Sequence, residues 1–160
     1  MSRWTSLRIC WGGTHPLLGE HAPIWLRSFV EHEQQAMLLR AFQPLAIAGL
    51  LQTEAYARTI MTGYGLRGDE LEAALNTRLV RQEVLRRSPD PCQLVAVIDE
   101  WVLHRDVGGP DVMREQLEAI VSASELPSVR VHIIPTSAGA YAEAQAVVTS
   151  RPTRWQVGHQ

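Results

Sequence analysis

Two short runs of aliphatic and β-branched residues, Gln93–Asp99 and Val129–Ile134, flank a segment with helical spacing, and this arrangement limits the folds open to the chain. The first run, Gln-Leu-Val-Ala-Val-Ile-Asp, is almost continuously apolar and reads as a buried strand. Glu100–Arg105 follows as a single helical turn, and Gly108-Gly109-Pro110 then breaks the chain. From Asp111 to about Ser124, Val112, Met113, Gln116, Leu117, Ile120 and Val121 recur at three- and four-residue spacing. Val129–Ile134 is a second strand, ended by Pro135. A strand, a helix and a strand in that order favour a parallel pair joined by a right-handed crossover. Ala144–Thr149 reads as a third strand, close enough behind the second to pair antiparallel with it.

The first half of the chain reads as helical. A helix is expected from Pro23, with Leu26, Phe29, Val30, Ala36, Met37 and Ala41 as its apolar positions and Pro44 as its end. Thr53 is placed to cap a second helix, Glu54 suits its first turn, and Tyr56, Ala57, Ile60 and Met61 would face inward until Gly63 and Gly65 stop it. A third helix is expected from Asp69, as N-cap, to Arg87, its face made by Leu71, Leu75, Leu79 and Leu85. A sheet this small cannot cover itself, so the helices must pack on it. The predicted class is α+β, with four main helices packed on a small mixed sheet of about three strands. Residues 1–22, with Trp4, Trp11 and several glycines, form an irregular arm; 23–150 form the domain; 151–160 form a tail.

Composition narrows the function. At 160 residues, 46% hydrophobic and 20% charged, the chain is one folded domain and not a disordered one. All 15 basic residues are Arg, a usage that fits the coding bias of a high-GC genome, and the net charge is -2. A chain that lives by gripping phosphates is usually basic, which argues against direct DNA binding. No apolar run is long enough to cross a membrane, and the first dozen residues lack the apolar core of a secretory signal. Cys10 and Cys92 make neither a disulfide framework nor a metal knuckle, so the expected location is the reducing cytoplasm. The histidines are dispersed, which implies no metal site, and no phosphate loop, dinucleotide fingerprint or nucleophile motif implies a cofactor.

Three polar groups interrupt apolar faces: Glu33 in the first helix, and Arg78 and Gln82 in the third. A buried charge must be paired, so a Glu33–Arg78 pair with Gln82 in the same network is expected. Such a network is either a structural device or the polar floor of a ligand pocket. A second candidate is the segment just past the first strand. Asp99, Glu100 and His104 can transfer protons if they share a cleft, and Trp101 can stack on a flat or apolar ligand. The plainer alternative is that Asp99 caps the turn, Trp101 packs and His104 lies in solvent. His132, on the less buried face of its strand, is a weaker candidate base.

The run Phe42-Gln43-Pro44, then Ile47-Ala48-Gly49-Leu50-Leu51-Gln52-Thr53-Glu54-Ala55-Tyr56-Ala57-Arg58, resembles a signature of the DUF5753 family, which forms the C-terminal part of many actinobacterial helix-turn-helix regulators of the XRE type. The likeness continues through Arg78–Gln82, Asp99-Glu100, Val107-Gly108-Gly109, Val112–Leu117 and Val129–Pro135. Ala48 stands where the family usually has Pro, Trp101 and Val102 where it has small residues, and His104 where it commonly has Arg. Residues 1–22 are too short and too broken by glycine for the DNA-reading helices. The resemblance therefore implies a freestanding sensory or partner-binding domain, in a regulatory or specialised-metabolism system. The expected partners are a small organic ligand or substrate, a protein partner and a second copy of the chain, with no membrane and no DNA. The ligand-binding set is Glu33, Leu50, Gln52, Tyr56, Arg78, Gln82 and Trp101. The alternative is a cofactor-independent cyclase, isomerase or lyase with Asp99, Glu100 and His104 as its acid–base residues, in a pocket walled by Trp101, Leu50 and Leu51.

Overall fold

A computed structural model describes residues 36–140. Strand β1 (Leu38–Gln43) is followed by a 3-10 turn at Gly49–Leu51 and by helices α1 (Glu54–Gly63) and α2 (Gly68–Arg81). A 3-10 turn, Gln82–Leu85, leads to β2 (Gln93–Asp99). The short helix α3 (Glu100–His104), helix α4 (Pro110–Ser124) and strand β3 (Val129–Ile134) complete the order, with a last 3-10 turn at Thr136–Ala138. Among the described residues, four helices and a three-stranded sheet make the α+β architecture that the sequence implies.

The sheet runs β1-β2-β3 with β2 in the middle, and both pairings are parallel. The parallel relation of β2 and β3 across α4 is the one expected of a strand–helix–strand run. The antiparallel strand expected at 144–149 lies outside the described residues. Register puts Leu39, Leu94 and Val129 side by side, with Ala41, Ala96 and Val131 in the next row. Side chains alternate along a strand, so Leu94, Ala96 and Ile98 share one face of β2, and all three are at most 1% exposed. That face meets Leu50, Leu51, Leu85, Val102, Met113, Ile120 and Ala123 in the main core. Each fully buried Leu or Ile contributes roughly 1.5–3 kcal/mol through apolar burial.

Residues 38–43 correct the helical expectation, because they form a strand. Ala36, Met37 and Ala41 fit a helical stripe, but six residues are too few to fix a period. Pairing against β2 decides the outcome: Gln93 N donates to Met37 O at 2.8 Å at the start of a six-residue register. The part of the predicted first helix that precedes residue 36, including Glu33, lies outside the described residues, as do the arm and the tail.

Helix α1 starts as expected, with Thr53 Oγ1 accepting from Tyr56 N at 3.3 Å. Ile60 is only half-buried, whereas Tyr56, Ala57 and Met61 are buried. Helix α2 starts one residue before Asp69, which lies in its first turn, where a negative charge favours the helix dipole. It also ends at Arg81 instead of running to Arg87, because Gln82–Leu85 tightens into a 3-10 turn. Ala57, Met61, Leu66, Leu71, Ala74 and Leu75 form a second, smaller core between α1 and α2.

Candidate functional site

Ile47–Thr53 is an irregular segment set into the core, with Ile47, Ala48, Leu50, Leu51 and Gln52 all buried. Irregular buried backbone must find hydrogen-bond partners outside any helix or sheet. Here side chains from α1, α4, the 82–85 turn and the segment's own Gln52 supply them. Gln52 Nε2 donates to Ile47 O at 2.7 Å, and Ile47 N donates to the Tyr56 hydroxyl at 3.4 Å. Gln82 Nε2 donates to Gln52 O at 2.7 Å and to Gly49 O at 3.3 Å. From α4, Gln116 Nε2 donates to Leu51 O at 2.7 Å while its Oε1 accepts from Thr53 N at 2.8 Å. Arg78 Nη1 donates to Gln52 Oε1 at 2.9 Å. A Cβ on Gly49 would stand 2.9 Å from that nitrogen, so the bare glycine lets the guanidinium lie close over the turn.

Arg78 and Gln82 meet at Gln52 in one network whose object is the 47–53 turn, while Glu33, the expected partner of Arg78, lies outside the described residues. Gln116 belongs to it as well and is 0% exposed. In the sequence it falls within an apolar stripe and has no role of its own assigned. The signal was there: a lone amide amid Met113, Ile120 and Ala123 on the buried face of a helix.

The fixed turn forms one wall of a cleft of about 270 Å³. Leu50, Leu51, Gln52, Thr53 and Glu54 line this wall. Leu79, Gln82, Leu85 and Arg86 line the side made by the end of α2 and the turn after it. Glu115, Ala119, Ala123 and Leu126, on and just past α4, close the third side. Of the predicted ligand-binding residues, Leu50, Gln52 and Gln82 line this cleft. Arg78 does not line it and braces Gln52. Tyr56 is 0% exposed beneath the turn, and burial pushes its phenol pKa up.

The predicted acid–base residues lie elsewhere, past the C-terminal end of β2. Asp99 caps α3, its Oδ1 accepting from Trp101 N at 2.9 Å. Glu100 Oε2 accepts from Thr136 N at 2.6 Å and from Thr136 Oγ1 at 2.7 Å. The Thr136 amide, then its hydroxyl, hold the Glu100 carboxyl below the ordinary carboxylate range. His104 Nε2 lies 3.7 Å from Glu100 Oε1, and its side chain is 66% exposed. Trp101 is 64% exposed. None of these four residues lines the cleft, so the pocket imagined between Trp101, Leu50 and Leu51 is not this one. His132 is exposed on β3, in register with Val97.

Among the described residues no three His, Cys, Asp or Glu side chains converge as a metal ion requires, and no helix is long and apolar enough to cross a membrane. No curated protein and no solved structure matches the chain. A family model does match, over residues 26–154, a range that takes in every element lining the cleft. The chain belongs to the family described as domain of unknown function DUF5753.

Proposed function

We propose that this chain is a binding module whose guest, a small organic molecule or a few side chains of a protein partner, seats in the cleft beneath the 47–53 turn. The observation that carries the reading is the bracing of the turn. Gln52, Gln82 and Gln116 fix the backbone of one cleft wall with bonds of 2.7–3.3 Å, and Arg78 holds the Gln52 side chain at 2.9 Å. A wall held before the guest arrives lowers the ordering cost of binding. The lining offers aliphatic and polar side chains in about equal measure. The likeness to the C-terminal part of actinobacterial helix-turn-helix regulators supports a sensory role for such a module, in a regulatory or specialised-metabolism system.

The enzyme alternative has no comparable support. The Asp99 carboxylate caps a helix, the Glu100 carboxylate receives two bonds from Thr136, and a carboxyl held ionised in this way is a poor general acid. The test of the binding reading is a thermal-shift screen of metabolites and short peptides. A guest at one hundred times its Kd stabilises by about 2.7 kcal/mol, several degrees in Tm for a domain of this size. Ala119→Trp, which fills the cleft from α4, should abolish the shift while the circular dichroism stays native. A screen with no responding compound, or a shift that persists in the filled variant, would overturn the reading.

A further inference from the structure

Three charged side chains line the cleft: Glu54 beside the turn, Arg86 past the end of α2, and Glu115 on α4. Arg86 follows the 3-10 turn that ends α2, Glu115 stands on α4, and both line the cleft and are exposed. Other charges nearby are engaged: Glu54 pairs with Arg58 at 2.8 Å, and Arg114 lies 3.0 Å from Asp111 and 3.9 Å from Glu118. Among the described residues, the side chains of Arg86 and Glu115 make no ion pair or hydrogen bond, with each other or with any neighbour. The rest of the lining is about evenly apolar and polar, with Leu50, Leu79, Leu85 and Leu126 beside Gln52 and Gln82.

These features select a guest by charge. A simple anion that meets Arg86 is repelled by Glu115, and a simple cation meets the reverse. A neutral apolar guest covers the floor and leaves both charges partly desolvated without partners, which is unfavourable. A guest with an apolar body, one anionic group and one cationic group satisfies all three surfaces together. The volume of about 270 Å³ lies just under the range of about 300–1,000 Å³ that holds drug-sized ligands, so the guest is small. We propose that the cleft binds a small amphipathic zwitterion, with its carboxylate toward Arg86 and its ammonium toward Glu115. This is the chemistry of a free apolar amino acid or a short apolar peptide. The inference rests on the cleft being the binding site, as proposed above.

Titration calorimetry on the full chain tests it. The probes are L-leucine and Leu-Leu, set against N-acetyl-Leu-Leu, Leu-Leu amide and the doubly blocked N-acetyl-Leu-Leu amide. One of the two zwitterions should bind more tightly than all three blocked forms. Arg86→Gln and Glu115→Gln should each weaken that zwitterion about two- to fivefold, the usual worth of a partly exposed ion pair. Glu118→Gln, outside the lining, should change nothing. The two cleft variants alter net charge in opposite directions, so a long-range charge effect would move them oppositely and not weaken both. If the doubly blocked peptide binds as tightly as the zwitterions and loses binding in Ala119→Trp, the zwitterion inference falls while the cleft reading stands. If no probe binds, the inference falls as well, and the cleft reading is judged separately by the wider thermal-shift screen.

Discussion

Gln116 carries more structural duty than any other side chain on α4. Its amide meets a carbonyl 65 residues away and an N–H 63 residues away in the same turn. Gln116→Leu keeps the size and removes both bonds, which leaves Leu51 O and Thr53 N without partners. A buried unsatisfied group costs about 1–3 kcal/mol, so urea unfolding should show a loss of about 2–4 kcal/mol. A loss below about 0.5 kcal/mol would mean that the turn does not depend on this clamp. Glu100 gives a second residue-scale prediction. Its folded pKa is depressed by the Thr136 amide and hydroxyl. Such a group stabilises above the pKa of the unfolded chain, and the contribution is lost as pH falls through the folded value. Glu100→Gln should therefore be less stable than wild type at neutral pH, and the gap in urea midpoint should narrow toward about pH 3. A gap that does not change with pH would show that Glu100 is not ionised against Thr136. Asp99 and Thr53 were legible as caps because a cap acts within three residues of itself. The partners of Gln82 and Gln116 were not legible, because they are at least 30 residues away.

At the scale of elements, the turn before α4 depends on two glycines for different reasons. Both take positive φ, 77° at Gly108 and 91° at Gly109. A Cβ on Gly109 meets nothing, whereas one on Gly108 would stand 2.7 Å from Thr59 Oγ1 on α1. Gly109→Ala should therefore cost about 1–3 kcal/mol from backbone strain alone. Gly108→Ala should cost more than Gly109→Ala in chemical denaturation, with part of the excess recovered in a Thr59→Ala background. No recovery would mean that α1 and this turn are not in the close contact described. That Gly108-Gly109-Pro110 breaks the chain before a helix follows from local chemistry alone. That Gly108 must also admit a hydroxyl from α1 follows only from how the helices pack. The same division separates β2 from β1. Seven residues of alternating burial with three β-branched side chains announce β2. Leu-Leu-Arg-Ala-Phe-Gln has no such pattern, and its partner strand makes it β1.

At the scale of the whole molecule, the described residues form two apolar clusters of unequal size. The sheet, the 47–53 turn and α4 share the large one, and α1 and α2 share the small one. Leu75→Ala removes a buried side chain from the small cluster and should destabilise by about 2–4 kcal/mol. Because that cluster joins only α1, α2 and the loop between them, amide exchange should accelerate in those helices well before it does in β2. A uniform rise in exchange would show that the two clusters open as one unit. The cleft lies where the turn, the end of α2 and α4 meet. A guest seated there as proposed would touch elements that span residues 50–126.

Local chemistry in the chain was enough for β2, the caps of α1 and α3, the run of α4, and the outline of a helix-rich α+β domain. These features arise from neighbours within a turn or from side-chain alternation, and both are written in adjacent residues. The strand at 38–43, the all-parallel pairing among the described strands, and the meeting of Gln52, Arg78, Gln82 and Gln116 around one turn came from packing. So did the separation of the cleft from Asp99, Glu100 and His104. A polar residue on an apolar face announces that it needs a partner, but hydrogen-bond geometry chooses that partner among groups brought together by long-range contacts, and those contacts exist only after the helices have closed on the sheet.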